Sequence, residues 1–320
     1  MSPHSTLYVR LPNWVGDVCM SLPSLALLAA TGAPLVVCAR PWARDLLAGL
    51  PAHGFVPMTG KVWADARAVR QQRRHDAGPA RGLLLPDSLS SAAVFRLAGI
   101  PSAGYRDDGR SVLLRWPIDK PQLPVHAVES WYGLTRRALT HWALPAGTAS
   151  PAKTLGLPLT DTHRAQADAA VGQWTSAAQP VVLIAPTAVG LHKGRVKVWP
   201  HFDALTQQLQ ARGVVVAMCP PPAEQAQART NAPTATLLPP MSLGAFAALT
   251  ARVSLTICND SGVSHLAAAA DAPQLTLFGV TRPARTGPWS PRAVCLGAEN
   301  AWPTVDEVAQ RAFTFLNLQQ

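Results

Sequence analysis

The chain has 320 residues, more than a single hydrophobic core usually holds, so its length predicts two domains. A composition of 48% hydrophobic and 14% charged residues excludes a disordered chain. The formal net charge of +10 favours an acidic partner, which can be nucleic acid, an anionic membrane surface or a phosphorylated substrate.

Cysteine spacing and hydropathy restrict the protein further. The five cysteines match no zinc-binding pattern, and scattered single cysteines are typical of buried positions in a reducing cytosol. The N-terminal residues lack the basic and apolar regions of a signal peptide. The longest apolar region, residues 22–38, is interrupted by Pro23, Gly32 and Pro34, which indicates helix, turn and strand. Any contact with a membrane is therefore expected to be peripheral.

Strand and helix patterns alternate along the first half of the chain, as expected of a parallel sheet covered by helices. The predicted strands are residues 7–11, 34–39, 82–85 and 111–116. The predicted helices are residues 20–30, 42–49, 62–74, 90–97 and 126–144. Residues 145–159 are rich in Pro, Gly, Ala and Thr, which predicts a linker.

The alternation resumes after this linker. The predicted strands are residues 181–185, 214–218, 255–258 and 274–278. The predicted helices are residues 163–177, 200–212, 243–251, 264–270 and 304–316. We therefore predict two α/β domains, 1–155 and 156–320, with a ligand-binding cleft between them. The amphipathic last helix is a candidate to pack back on the first domain.

A polar turn, residues 259–266, joins the strand 255–258 to an alanine-rich helix. Asp260 or Ser261 can cap this helix, and Gly262 lets a ligand approach the backbone. The free N–H groups and the dipole at a helix N-terminus favour a bound anion such as a phosphate. An ordinary capped helix is the alternative interpretation.

A second turn near the N-terminus has the same order of strand, glycine-containing loop and helix. Asp17 lies where this loop enters the helix, and Trp14 precedes it. Ligands of open α/β sheets bind outside the carboxyl ends of the strands, where both turns are expected. Asp17 can alternatively be a helix cap, and Trp14 can either stack on a sugar or close the core.

Basic residues suggest where an anionic partner binds. The helix 62–74 carries four arginines within eight residues, Arg67, Arg70, Arg73 and Arg74. They form either a solvated helix face or a contact with an anionic substrate. Lys197 similarly belongs either to a solvated loop or to a phosphate site, and His265 is either a buried helix histidine or a functional group.

These segments together resemble the ADP-heptose:lipopolysaccharide heptosyltransferases of glycosyltransferase family nine. The resemblance covers nearly the whole chain and rests on the order of short motifs at 14–17, 85–92, 97–101, 197–200, 241–243, 259–266, 277–281 and 283–288. The segments 85–88 and 97–101 are most similar to the second heptosyltransferase of the inner-core pathway, heptosyltransferase II.

The resemblance implies an α/β protein with the GT-B fold, in which two Rossmann-like domains present parallel sheets to each other across a cleft. It implies that residues 1–155 bind the acceptor and residues 156–320 bind the nucleotide sugar. The implied activity is inverting transfer of a heptose from ADP-heptose to the inner core of lipopolysaccharide, with Asp17 as general base. The chain has no Asp-x-Asp motif, and neither a metal nor another cofactor is expected.

The resemblance also implies roles for individual residues. The donor phosphates are expected at Thr187, Lys197, Asp260, Ser261, Gly262, Ser264 and His265. The nucleoside is expected at Met241 and Glu224, although the chain departs from the family's glycine-rich pattern at 219–222, Cys-Pro-Pro-Pro. The acceptor is expected at Trp14, Arg67, Arg70, Arg73 and Arg74.

The implied partners are the nucleotide-sugar donor and an anionic glycolipid acceptor, the lipid A–Kdo core. We expect a cytoplasmic monomer with peripheral contact at the cytoplasmic face of the inner membrane, and no nucleic-acid partner. Two alternatives stay open. The protein can be another family-nine transferase with a different sugar or acceptor, or a sugar-nucleotide binder without catalytic activity.

Overall fold

The computed structural model describes residues 5–76, 78–107, 109–189, 191–192 and 194–318. The chain divides into two compact units, of which the first is Met1–Arg44 with Leu50–Ala152 and the second is Asp45–Gly49 with Lys153–Gln320. The change of unit after Ala152 falls within the predicted linker, 145–159, and close to the predicted boundary at 155. The assignment of the short segment Asp45–Gly49 to the second unit could not be read from the local sequence pattern.

The first unit contains a six-stranded parallel sheet. Its strands are β1 (Thr6–Arg10), β2 (Leu35–Ala39), β3 (Gly54–Pro57), β4 (Ala80–Leu84), β5 (Ser102–Tyr105) and β6 (Trp116–Ile118). Their order in the sheet is β3-β2-β1-β4-β5-β6. The helices are α1 (Val15–Met20), α2 (Leu22–Ala29), α3 (Ala43–Leu46), α4 (Val62–Arg73), α5 (Leu89–Leu97) and α6 (Ala127–His141). Every residue of β1 and β2 is buried, as expected of central strands with helices on both faces.

The second unit repeats this arrangement. Its strands are β7 (Val181–Ala185), β8 (Leu191–His192), β9 (Arg195–Val196), β10 (Val215–Met218), β11 (Thr236–Leu237), β12 (Leu255–Asn259), β13 (Gln274–Phe278) and β14 (Ala293–Gly297). The parallel sheet has the order β11-β10-β7-β12-β13-β14, and β8 and β9 form a separate antiparallel pair. The helices are α7 (Asp161–Thr175), α8 (Phe202–Gln210), α9 (Gln225–Asn231), α10 (Leu243–Arg252), α11 (Gly262–Ala269), α12 (Pro283–Thr286) and α13 (Val305–Phe315).

Each sheet reverses its strand order at one place. In the first unit the chain adds strands outward from β1 on one side and from β4 on the other, and β1 pairs directly with β4. In the second unit the same change of direction lies between β7 and β12. The loops that leave such neighbouring strands diverge and form a crevice, the usual ligand site of open α/β sheets. The fold therefore indicates one crevice in each unit.

The last helix, α13, packs on the core of its own unit. Val308, Ala309 and Ala312 are buried there together with Phe202 and Leu205 of α8. Thr304 caps α13 in a capping box with Glu307, whose carboxylate accepts a hydrogen bond from the Thr304 N–H at 2.7 Å. This local signal explains why the helix begins where the sequence pattern predicts.

Two predicted elements of the first unit were wrong in detail. Residues 111–116 were predicted as a strand, but Arg110–Leu113 is a 3₁₀ turn and the strand is β6. The turn forms because the Arg110 side chain is fully buried and donates hydrogen bonds to the carbonyls of Tyr105, at 2.8 Å, and of Pro86. The helix predicted for 20–30 corresponds to α2, Leu22–Ala29, and a separate helix, α1, precedes it at Val15–Met20; Pro23 has no N–H with which to continue the hydrogen-bond ladder of α1.

Candidate active site

Asp17 lies beyond the carboxyl end of β1, at the reversal point of the first sheet. The loop that carries it is held by Arg10, whose buried guanidinium donates to Asn13 Oδ1 at 2.7 Å and to the Leu11 carbonyl. Burial lowers the pKa of Arg10. Trp14 is the N-cap residue of α1, and its side chain is 76% exposed. The indole therefore does not close the core and is free to meet a ligand.

The Asp17 carboxylate is half-buried in the first turn of α1. No side chain of the described residues donates a hydrogen bond to it, and burial raises its pKa. Asp17 is not the N-cap residue, because that position is Trp14. A partly desolvated carboxylate without a hydrogen-bond donor is a stronger proton acceptor than an exposed one, which suits general base chemistry.

The loop after the neighbouring strand β4 holds a second carboxylate, which the sequence motif 85–92 contains but to which no role could be assigned. Asp87 lies 2.8 Å from Lys120 Nζ and 3.5 Å from Arg110 Nη2. Ser88 then caps α5 by accepting a hydrogen bond from the Ser91 N–H at 3.3 Å. The segments after the two strands at the reversal point thus carry one carboxylate, Asp17, that receives no side-chain hydrogen bond from the described residues, and one, Asp87, that is paired with cations.

The four arginines of the basic helix differ in their surroundings. Arg67, Arg70 and Arg74 are exposed, but the Arg70 guanidinium donates to the carbonyl of Leu97, the last residue of α5. Arg73 is half-buried, and its charge acts on Tyr8. Arg67 and Arg74 are therefore the two of this group with the most accessible charge.

The polar turn of the second unit is built as a helix start. Ser261 is the N-cap of α11 and accepts a hydrogen bond from the Val263 N–H at 3.3 Å, which decides between the two candidate caps. Gly262 is the first helical residue, and the Ser264 hydroxyl donates to the Ser261 carbonyl at 2.8 Å. His265 is buried in the first turn. The hydroxyl of Ser264 is thus committed to the turn itself.

Lys197 and Asp260 lie together beside this helix start. Lys197 Nζ donates to the Asp260 carbonyl at 2.9 Å and is 4.0 Å from its carboxylate. The same carboxylate accepts a hydrogen bond from Thr281 Oγ1 at 2.5 Å. An ammonium group has three N–H donors, and among the described residues Lys197 uses one of them, for the Asp260 carbonyl, so donors are left for a further anion. Thr281 lies in the motif 277–281, but the sequence did not indicate this contact.

Trp199, two residues after Lys197, anchors the loop that carries the lysine. The Trp199 side chain is fully buried and packs edge-on against Phe202. Its indole N–H donates to the Pro303 carbonyl at 2.9 Å. These contacts hold the loop after β9, so that the lysine projects from an anchored backbone.

The predicted nucleoside residues belong to neighbouring loops of the same sheet. Glu224 ends a 3₁₀ turn after β10, and its carboxylate accepts a hydrogen bond from the Thr187 hydroxyl. Met241 is half-buried, and the thiol of Cys219, which begins the Cys-Pro-Pro-Pro segment, donates to the Pro239 carbonyl at 3.2 Å, two residues before Met241. The unusual segment therefore leaves Glu224 in contact with Thr187.

The group can bind an anion chemically. Lys197 and the N-terminus of α11 supply a positive charge and a helix dipole, as phosphate sites do, and Thr187 lies nearby with its hydroxyl bonded to Glu224. Among the described residues, no group of three or more His, Cys, Asp and Glu is placed to hold a metal ion. In the same part of the chain, no helix is both long and apolar enough to cross a membrane.

Two separate units, each with a six-stranded parallel sheet and polar loops at its reversal point, define an α/β protein of the GT-B class. The family model of glycosyltransferase family 9 (heptosyltransferase) matches residues 68–314. The chain therefore belongs to this family and is a glycosyltransferase.

Relatives and solved structures agree with this assignment. The chain is 28% identical over 305 residues to lipopolysaccharide heptosyltransferase 2 of Escherichia coli (strain K12), covering 88% of this chain and 85% of that protein. It is 25% identical over 312 residues to lipooligosaccharide heptosyltransferase 2 of Haemophilus influenzae, covering 89% and 86%. The structure of E. coli ADP-heptose lps heptosyltransferase II superposes with a TM-score of 0.74 at 26% identity, covering 98% of this chain and 97% of that chain. The resemblance to heptosyltransferase II and the fold class predicted from sequence are confirmed.

Proposed function

We propose that the protein is an inverting glycosyltransferase that moves a heptose from ADP-heptose to the inner core of lipopolysaccharide. The observation that carries this proposal is the contact of Lys197 with the Asp260 carbonyl at the N-terminus of α11. This arrangement suits a nucleotide diphosphate. The relatives named for lipopolysaccharide heptose transfer, and the similar structure named for ADP-heptose, support the choice of donor and product.

In the proposed donor complex, Lys197 and the N-terminus of α11 stabilise the leaving diphosphate. Negative charge grows on the diphosphate oxygen as its bond to the sugar breaks, so fixed positive potential there favours the transition state. Thr187, Ser261, Gly262 and Ser264 lie on the loops that contact the phosphates. Glu224 binds the ribose, and Met241 lines the adenine site. The contact of Thr187 with Glu224 supports a continuous path from phosphate to ribose.

In the proposed reaction, Asp17 accepts the proton of the acceptor hydroxyl. The hydroxyl oxygen forms a bond to the anomeric carbon as the bond from that carbon to the diphosphate breaks, and the electron pair leaves with ADP. One displacement of this kind inverts the anomeric configuration. The pKa of Asp17, which burial raises, supports this role. A positioned base contributes about 10²–10⁴-fold to the rate.

We also propose that the reaction requires no metal ion or other cofactor. The ammonium of Lys197 and the dipole of α11 supply the positive potential that a divalent ion supplies in other transferases. We expect kcat to be unchanged by EDTA and to fall steeply in Lys197→Met, which keeps the length of the side chain and removes its charge. Activity lost in EDTA and restored by Mg²⁺ would contradict this proposal.

The proposed acceptor is an anionic glycolipid, the lipid A–Kdo core. Trp14 is exposed for stacking on a sugar, and the accessible Arg67 and Arg74 have the charge for its phosphates. Arg70 and Arg73 belong to the same helix. Such an acceptor places the protein, as a monomer, in peripheral contact with the cytoplasmic face of the inner membrane. Nucleic acid is not proposed as a partner.

The proposal is tested by nucleotide binding followed by turnover. In calorimetry, ADP should bind more tightly than UDP or GDP. Asp17→Asn should keep the ADP affinity and lose about 10²-fold or more in kcat, since the base acts only in the transition state. Asp119→Asn is the matched control, because Asp119 forms an exposed ion pair with Arg106.

Each alternative function has its own outcome in this test. Tighter binding of UDP than ADP would contradict the donor assignment. Tight ADP binding without heptose transfer to an inner-core glycolipid would favour another family 9 transferase or a sugar-nucleotide binder. Normal kcat in folded Asp17→Asn would remove Asp17 from the mechanism.

A further inference from the structure

Asn259, the last residue of β12, has a fully buried side chain that uses both ends of its amide. Its Oδ1 accepts a hydrogen bond from the Trp199 N–H at 2.8 Å. Its Nδ2 donates to the carbonyls of Ala185 and Thr187, at 3.2 and 3.3 Å. The amide thus bonds to two segments that are distant in sequence.

Each segment held by this amide carries one residue of the proposed donor site. Thr187 is itself a hydrogen-bond partner, Lys197 lies two residues before Trp199, and Asp260 follows Asn259 directly. The side chain of Asn259 bonds to backbone atoms of these segments, and the groups proposed to bind phosphate belong to the residues beside it. It therefore joins the loops that carry Thr187 and Lys197 to its own segment, which carries Asp260.

Only an amide satisfies this set of partners. The side chain must accept a hydrogen bond from one N–H and donate hydrogen bonds to two carbonyls, so it needs one acceptor atom and two donor hydrogens. An ionised carboxylate has no donor and would place a charge against two carbonyl oxygens. An aliphatic side chain would leave all three buried backbone groups without their partner.

We propose that Asn259 is the positioning residue of the donor site, which sets Thr187 and Lys197 against the N-terminus of α11. This inference rests on the proposed function, because the site it organises is the proposed diphosphate site. Asn259 acts through the three loops and not by touching the nucleotide.

The test compares Asn259→Leu and Asn259→Asp with a matched control. Gln274 also has a fully buried amide side chain, but it is the first residue of β13. It therefore lies at the amino ends of the strands, whereas the candidate site lies at their carboxyl ends. Among the described residues its Nε2 has no hydrogen-bond partner. We expect ADP affinity to fall about 10-fold or more in Asn259→Leu, which is ~1.4 kcal/mol, and to change less than about 2-fold in Gln274→Leu.

The Asn259→Asp variant gives a signature that general destabilisation does not. Asp260 is adjacent to this position in sequence, Lys197 contacts Asp260 and Glu224 contacts Thr187, and these charged groups are shared with the wild type. The carboxyl group that this substitution introduces can, when protonated, accept from Trp199 and donate to one carbonyl, whereas its ionised form cannot donate. ADP affinity of Asn259→Asp, divided by that of the wild type, should therefore rise as the pH is lowered from about 8 to about 5.5, provided the fold is retained by circular dichroism.

Hydrogen exchange separates failure of this inference from failure of the proposed function. The backbone N–H of Trp199, which bonds to Asn259, should exchange with solvent faster in Asn259→Leu than in the wild type or in Gln274→Leu, whether or not ADP binds. Unchanged exchange at Trp199, or wild-type ADP affinity in Asn259→Asp at every pH, would overturn the positioning role. Failure of the wild type to bind ADP, with faster exchange in Asn259→Leu, would count against the donor assignment alone.

Discussion

At the scale of one residue, Asp17 lies in an environment that disfavours its charged form. Its carboxylate is half-buried and receives no hydrogen bond from a side chain of the described residues, so the dipole of α1 offsets only part of the cost of desolvating its charge. Arg10, buried in the same loop region, is compensated by hydrogen bonds to Asn13 and Leu11. A buried charged residue with a purely structural role is expected to have hydrogen-bond partners, as Arg10 has.

Removing the charge of Asp17 should therefore stabilise the protein. Burial raises the pKa of Asp17 in the folded state, so the unfolded chain ionises first as the pH rises. Wild-type stability consequently falls as the pH rises from the unfolded pKa of about 4 to the folded pKa, and stays lower above it. Asp17→Asn should have a higher Tm than the wild type at about pH 7 and an equal Tm near about pH 3. A lower Tm at neutral pH would show that the carboxylate has a stabilising partner.

At the scale of elements, the sequence predicted what local pattern determines. The bounds of β7 and β13 agree with the prediction, because each is an apolar run with a proline just outside its beginning or its end. The strands β3, β5 and β14 were missed, since they contain glycine, proline or serine and lie at or near the sheet edges, and β3 and β5 have only four residues each. Their strand structure depends on pairing with neighbours that are distant in sequence.

The candidate site likewise has one part that could be predicted from the sequence and one part that could not. The turns around Asp17 and Asp260 could be located from strand, glycine and helix signals. The contacts of Asn259 with Trp199 and of Thr281 with Asp260 could not, because they join residues that lie in different loops. The sequence thus predicts which loops carry the chemistry, and tertiary structure decides which side chains organise them.

Substitutions in α4 and at its C-cap residue, Arg74, can separate effects on acceptor binding from effects on stability. Arg67 and Arg74 are accessible, whereas Arg70 bonds to the C-terminal carbonyl of α5, where a cation also favours the helix dipole. Replacing Arg67 and Arg74 together by Ala should raise KM for the glycolipid acceptor and leave ADP affinity and Tm nearly unchanged. Replacing Arg70 by Ala should lower Tm, on the order of 2 °C for a lost interaction of about 1 kcal/mol.

Kinetics with the glycolipid, calorimetry with ADP and thermal melts distinguish these variants. Arg70→Ala is compared with the single variants Arg67→Ala and Arg74→Ala, because each of the three removes one arginine charge from the same basic segment. A rise in KM for Arg70→Ala equal to that of each single variant would show that the segment acts only through its net charge.

At the scale of the whole molecule, the charge of +10 is large for a protein with only 14% charged residues. Such an excess raises the rate of encounter with anionic surfaces and attracts them over distances of about a Debye length, ~10 Å at about 0.1 M salt. Lys197, in contrast, is half-buried and acts at short range. The two proposed substrates should therefore respond differently to ionic strength.

We expect kcat/KM for the glycolipid acceptor to fall steeply when NaCl is raised from about 50 to about 500 mM, and the Kd for ADP to change much less. Exposed charges are screened over this range, whereas partly buried ones are screened weakly. Salt also alters glycolipid aggregates, so the slope is compared with that of the Arg67→Ala/Arg74→Ala double variant, which meets the same aggregates with two fewer accessible cations. A smaller slope in the variant assigns the salt effect to the protein. Identical slopes would show that the basic charge of this helix does not guide the acceptor, and equal salt sensitivity of ADP binding would contradict the short-range role of Lys197.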